Sequence, residues 1–241
     1  MIMIFSSKSQ TEHCEFHYNN HTIKQTDAYS YLGIKLSKKA GFGDAVNLLK
    51  EKGNKAMFLL KSALYSGVTF QPSLPIKIFD STIRPILGYA SEVWCCDYSR
   101  ILFKPHMIDK LPFEKVNNKF CKFIMGLPSQ ASNFAVKADL GKSPIFAFIC
   151  SQAIRYWYRI INMDTNRTLK QAYLSELDIQ KNGGNSWSMF IMKLLEVIGE
   201  NKIWKNQNNS VFDKNEICLL KKKAFNNITK LYYTNQSEKI N

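Results

Sequence analysis

Lys115, Lys119 and Lys122 stand at i, i+4 and i+7 in the stretch P-F-E-K-V-N-N-K-F-C-K-F-I, a spacing that puts three ammonium groups on one side of a helix with no acid among them. Like charges on one face weaken a helix slightly, and either a phosphate-bearing partner or plain hydration would relieve the repulsion. Arg155 and Arg159, at i and i+4, are spaced to grip phosphate oxygens in bidentate fashion or to pair with nearby acids. Lys52 and Lys55 fall beside, not on, the apolar stripe of their own segment. Tyr156, Trp157 and Tyr158 adjoin the arginines; such rings can stack on bases, but aromatics beside a helical stripe more often fill a core.

Other chemistry is poorly supplied. His13, Cys14, His17 and His21 have a spacing that could hold zinc on a helix, yet the residues between them are strand-like and Asn19-Asn20 interrupts them. Solvent-facing hairpin polars are the expected reading, with no metal and no cofactor. Two-metal phosphoryl transfer needs neighbouring carboxylates. The chain has no Asp-Asp pair, and Asp80, Glu92, Asp97 and Asp139 stand apart, Glu92 as a polar group beside Trp94. There is no G-x-S-x-G elbow and no Gly-rich phosphate loop. Catalysis by this chain alone is not expected.

The 241 residues carry 33 Lys+Arg against 19 Asp+Glu, a formal net charge of +14. That balance favours a polyanionic partner, since each phosphate neutralised by Lys or Arg releases counterions. An anionic membrane surface fits less well, because no isolated amphipathic anchor or lipidation signal accompanies the charge. Apolar runs such as residues 145–150 fall far short of the ~20 needed to span a bilayer, and the opening M-I-M-I-F is too brief for a signal peptide. An intracellular protein, cytoplasmic or nuclear, is expected. Its six cysteines lack any C-x-x-C pairing and read as reduced, mostly buried thiols.

The elements that must position these groups are mainly helical. In residues 75–94, Ile76, Phe79, Ile83, Ile86, Leu87, Ala90, Val93 and Trp94 recur at three and four, predicting one bent, buried helix with a kink or break at Pro85. Residues 1–36 read as short strands: M-I-M-I-F, a pair about the turn Asn19-Asn20, and A-Y-S-Y-L-G-I-K-L as a further strand. Asp44 opens a helix to about Tyr65, lined by Val46, Leu49, Gly53, Met57, Leu60 and Leu64. Residues 95–110 look irregular. Pro112 and Gly126 bracket the lysine-bearing helix, on which Phe113, Val116, Phe120 and Phe123 form the apolar stripe. A short helix ends at Gly141, and Ser143-Pro144 opens a longer one to about Asp164. Residues 169–177 and 186–198 look helical, and an Asp213/Glu216 capping box starts a last helix with a stripe of Ile217, Leu220, Ala224, Ile228 and Leu231. The expected fold is mainly α, a helical bundle with a small N-terminal antiparallel β element (α+β overall). Its expected core includes Ile83, Leu87, Trp94, Phe120 and Trp157.

The run R-P-I-L-G-Y-A-S-E-V-W, preceded by K-I-F-D-S-T-I, resembles the segment that follows the palm in reverse transcriptases of non-LTR (LINE-like) retrotransposons. Y-L-G-I at 31–34, F-C-K-F-I-M-G-L-P at 120–128 and D-L-G-K-S-P at 139–144 occur in the family's order, so the resemblance covers residues 31 to about 164. It implies a palm-edge hairpin over 1–38, a thumb-like helical region over 39–165 and a helical extension over 166–241. The aromatic-x-Asp-Asp turn that carries polymerase chemistry in the family is missing, and Mg²⁺ would belong only to a full-length polymerase. The implied role is sequence-tolerant contact with a template–primer, RNA or an RNA–DNA hybrid, through Lys52, Lys55, Lys115, Lys119, Lys122, Arg155 and Arg159. The alternative is a helical protein-interaction module with no nucleic-acid role.

Overall fold

The structure is a computed structural model and describes residues 2–4, 15–38, 41–64, 71–181, 186–207 and 213–237. It is mainly α, with small antiparallel sheets near the N-terminus. Strands β1 (Phe16–Tyr18) and β2 (His21–Ile23) pair across Asn19 and Asn20, whose φ of 48° and 61° make the primed turn that matches strand twist. The segment expected as one further strand folds back on itself instead. β3 (Ala28–Tyr31) and β4 (Ile34–Ser37) are joined by Leu32 and Gly33, with φ of 47° and 81°. Gly33 takes that conformation freely, whereas Leu32 bears a cost of about 1–2 kcal/mol. The Tyr89 hydroxyl donates to the Leu32 carbonyl at 2.8 Å and so pins the strained turn against the helices. Of M-I-M-I-F only residues 2–4 are described, and Ile2 makes a lone parallel bridge to Gln25. His13 and Cys14 lie outside the described residues; His17 and His21 are exposed on the first hairpin, and no group of three metal ligands occurs among the described residues.

Helix α1 (Gly43–Leu64) buries Val46, Leu49, Gly53 and Met57 of the predicted stripe, leaves Leu60 and Leu64 half-buried, and packs on α2 (Ser73–Leu87). The stripe expected as one bent helix is two helices. Pro85 has no N–H to continue the ladder, α2 ends two residues later, and the chain turns through residues 88–90 with Ala90 at φ 51° before α3 (Ser91–Trp94). Phe79, Ile83, Leu87 and Trp94 are buried as expected, but the break swings Val93 outward to 42 % exposure. The Trp94 indole N–H closes the turn on the Tyr89 carbonyl at 2.8 Å. Helix α1 meets α2 tightly at Gly53, where an added Cβ would lie 2.4 Å from Leu87 Cδ2. Gly53→Ala should therefore destabilise by about 1–3 kcal/mol despite the better helix propensity of alanine, read from the urea midpoint. A stability gain would show that the two helices separate freely.

The stretch expected to be irregular forms two 3-10 segments, Cys95–Phe103 and Pro105–Lys110. They lead into α4 (Pro112–Ile124), which ends at Gly126 with φ 62° as its sequence predicts. Then follow α5 (Asn133–Asp139), α6 (Ile145–Ile161), α7 (Thr168–Lys181), α8 (Trp187–Val197), the unanticipated short α9 (Asn201–Lys205) and α10 (Lys214–Ser237). In the predicted box at the start of α10, the Asp213 amide donates to Glu216 Oε2 at 2.9 Å. Helix α6 is the axis of the core: ten of its seventeen residues are buried, including Trp157, and α3, α4, α7, α8 and α10 all pack on it.

The start of α6 is not capped by Ser143. Glu114, fully buried on α4, accepts the Phe146 amide at 2.9 Å with one oxygen. Its other oxygen accepts Lys137 Nζ at 3.0 Å and Asn117 Nδ2 at 3.2 Å. Lys137 also reaches Asp109 at 2.9 Å, and Asp109 accepts the Tyr232 hydroxyl at 3.0 Å. One buried ionic cluster thus ties α4, α5, α6, α10 and the second 3-10 segment together. Burial alone would push the Lys137 ammonium down, but the facing carboxylates of Glu114 and Asp109 hold it well above the ordinary range.

The resembling segments meet around α2. Phe120 stacks on Phe79 with ring centroids 4.3 Å apart. Lys142, nearly buried, pairs with Asp80 and lies over the Phe79 ring. Tyr89 holds the turn of Y-L-G-I. The thiols of Cys95, Cys121 and Cys150 are buried and Cys218 is exposed, as free cysteines. Burial pushes the Cys121 thiol up to about 11 and the other two upward as well. A maleimide pulse at neutral pH, mapped by mass spectrometry, should label Cys218 fast and Cys95, Cys121 and Cys150 only on unfolding.

Candidate nucleic-acid interface

Helices α1 and α4 pack on each other, and each turns lysines outward. Lys52 and Lys55 on α1 and Lys115 and Lys119 on α4 are exposed, and none has a carboxylate within 4 Å among the described residues. The α4 stripe explains the placement: Phe113, Val116, Phe120 and Cys121 go inward, which leaves positions 115 and 119 facing out. A residue that sequence reasoning missed joins them. Lys61 of α1 lies over the Phe123 ring, 4.4 Å from its centroid, and its ammonium is pushed down first by partial burial and then by the charge of Lys119. Lys61 and Lys119 thus bring like charges together across the α1–α4 seam. Lys122 is placed differently, half-buried with its ammonium donating to the Ser129 carbonyl at 2.6 Å, where it anchors the loop after α4.

Arg155 and Arg159 are exposed on α6 and make no ion pair within 4 Å among the described residues, so pairing with acids does not account for them. They line a cleft of about 1190 Å³ between α6 and α10, apart from α1 and α4. The three adjoining aromatics divide. Trp157 is core, its indole N–H donating to the Tyr173 hydroxyl at 2.9 Å, whereas Tyr156 and Tyr158 are half-buried and line the cleft.

Comparison with protein-family models, with curated proteins and with solved structures finds no match. Among the described residues no helix is long and apolar enough to cross a membrane. Asp80 is bound to Lys142 and Arg84, and Glu114 and Asp109 are bound to Lys137.

Proposed function

We propose that this chain is the thumb-like helical part of a non-LTR retrotransposon reverse transcriptase, and that it holds template–primer nucleic acid by the sugar-phosphate backbone without performing polymerisation itself. The observation that carries the binding role is the set of unpaired, exposed ammonium groups at Lys52, Lys55, Lys115 and Lys119 on two packed helices. Lysine heads on long stems meet phosphates as point charges, which suits contact indifferent to base sequence. The family resemblance is supported by the way its separate segments join into one packed unit around Phe79, Asp80 and Tyr89.

The test is fluorescence anisotropy of a labelled blunt RNA–DNA duplex across a salt series. Affinity should fall linearly on a log–log plot, by a slope of about 0.9 per phosphate contacted. A salt-insensitive or undetectable signal refutes the reading, and nucleotide incorporation by the purified chain with Mg²⁺ would refute the absence of catalysis. A helical protein-interaction module is the competing reading. It is favoured by the exposed Tyr18, Tyr31 and Leu32 on the hairpins and by Phe58 and Leu59 on α1, and predicts partner capture that survives high salt.

A further inference from the structure

The α6–α10 cleft carries a surplus of positive charge that the fold does not use. Its walls hold Arg155 and Arg159 from α6, Arg167 from the turn that follows, and Lys214 and Lys221 from α10. Against these five cations stand two carboxylates, Glu92 and Asp164, and none of the five has an acid within 4 Å among the described residues. Other cations of the fold are neutralised, Lys137, Lys142 and Lys223 among them. A concave surface with cations on both walls focuses potential on whatever enters it. At about 1190 Å³ the cleft exceeds the usual range for compact ligands, about 300–1,000 Å³, and its walls are charged where such pockets are mostly apolar. An extended polyanion is the matching ligand.

The rings decide which polyanion. Tyr156 and Tyr158 are set among the cations, and Tyr156 is fixed by an edge-on contact with Trp187 at 5.7 Å. In a duplex the bases are turned inward and stacked on each other, whereas a single strand can lay its bases on such rings while its phosphates meet arginine. We infer that this cleft holds a single-stranded polynucleotide segment, with its phosphodiesters on Arg155, Arg159, Arg167, Lys214 and Lys221 and its bases against Tyr156 and Tyr158. The inference rests on the nucleic-acid reading above and adds a second site to it, separate from the α1–α4 surface.

The experiment compares two probes on the full chain, a labelled oligouridylate and a blunt RNA–DNA duplex. The double variant Arg155→Gln/Arg159→Gln should bind oligouridylate at least roughly tenfold more weakly and leave duplex affinity nearly unchanged. Lys115→Gln/Lys119→Gln should do the reverse. All four side chains are exposed, so folding is not at stake. An independent readout is Cys218, which lines the same cleft: oligouridylate should protect it from alkylation and the blunt duplex should not. Duplex binding that depends on Lys115 and Lys119, with oligouridylate indifferent to the arginines, overturns the cleft alone. Equal loss of both probes in the arginine variant overturns it too, by merging the two surfaces. Protection of Cys218 by phosphatidylserine vesicles but not by oligouridylate reassigns the cleft to a lipid surface. Failure of both probes to bind wild-type protein removes the parent reading and this one together.

Discussion

Replacing Lys137 with alanine is expected to lower the free energy of unfolding by about 3–5 kcal/mol, because it leaves Glu114 and Asp109 as facing carboxylates with their shared cation gone. For a chain of this size each kcal/mol moves the melting temperature by roughly 2–4 °C, so the loss should be plain in a thermal scan. Glu114 also caps α6, so a displaced carboxylate would release the Phe146 amide as well. The double variant Glu114→Gln/Lys137→Met removes both charges and keeps a group able to accept from that amide; it should recover part of the loss. If Lys137→Ala alone is as stable as wild type, the ionic cluster is not what joins these helices.

The same cluster sets an alkaline limit. A lysine held above its ordinary 10.5 is protonated in the folded state where the unfolded chain has lost its proton. Its stabilisation is therefore complete below that ordinary value and disappears as pH rises through the folded one. The buried thiols act in the same direction from lower pH: the unfolded chain ionises them near 9.0 while Cys121 in the fold waits until about 11. Stability should begin to fall near pH 9, and Lys137→Met should flatten only the part of the decline above about 10.5.

The largest expected effect on binding comes from Lys52→Gln, Lys55→Gln, Lys115→Gln and Lys119→Gln combined. If all four meet phosphates, the slope of log affinity against log salt should fall by about 3–4, and affinity for the RNA–DNA duplex at 50 mM salt by at least on the order of 10²-fold. Stability should hold or rise slightly, since Lys115 and Lys119 repel each other at i, i+4 by about 0.2–0.5 kcal/mol and Lys119 also presses on Lys61. An unchanged slope would remove this surface from the account. A collapse of the fold would mean that the lysine stems pack against the core through contacts other than charge.

The helices were legible wherever periodicity and punctuation agreed. The stripe of α1, the Pro112 and Gly126 limits of α4 and the Asp213/Glu216 start of α10 all stand where the sequence puts them. Failures came where a tertiary partner replaced a local signal. Ser143 is a good cap by type, yet Glu114, thirty-two residues away from Phe146, does the capping, and no window along the chain contains both. Leu32 is a poor turn residue by type, and the hydrogen bond from Tyr89 that accompanies its left-handed backbone comes from fifty-seven residues away. The break after Pro85 was foreseen as one option; its effect on Val93 was not, because a stripe drawn on one continuous helix cannot register a turn at residues 88–90.

The cationic groups followed the same division. Lys115 and Lys119 could be placed on an outward face from the α4 stripe alone. Lys61 could not, since it joins them only through the packing of α1 on α4. Arg167, Lys214 and Lys221 reach Arg155 and Arg159 only because α10 lies along α6. Neighbouring lysines of α10 diverge: Lys221 lines the cleft and Lys223 pairs with Glu200.

Glu114 bonds α4 to the first turn of α6, and these two helices carry Lys115 with Lys119 and Arg155 with Arg159. That bond is buried and charge-assisted, so it resists the sliding that apolar contacts alone allow. If both surfaces bind as proposed, the molecule would act as a caliper whose jaws are locked: a polynucleotide with a paired end and a frayed end would be gauged against one invariant span, and binding should switch on at a threshold overhang length instead of growing smoothly with it.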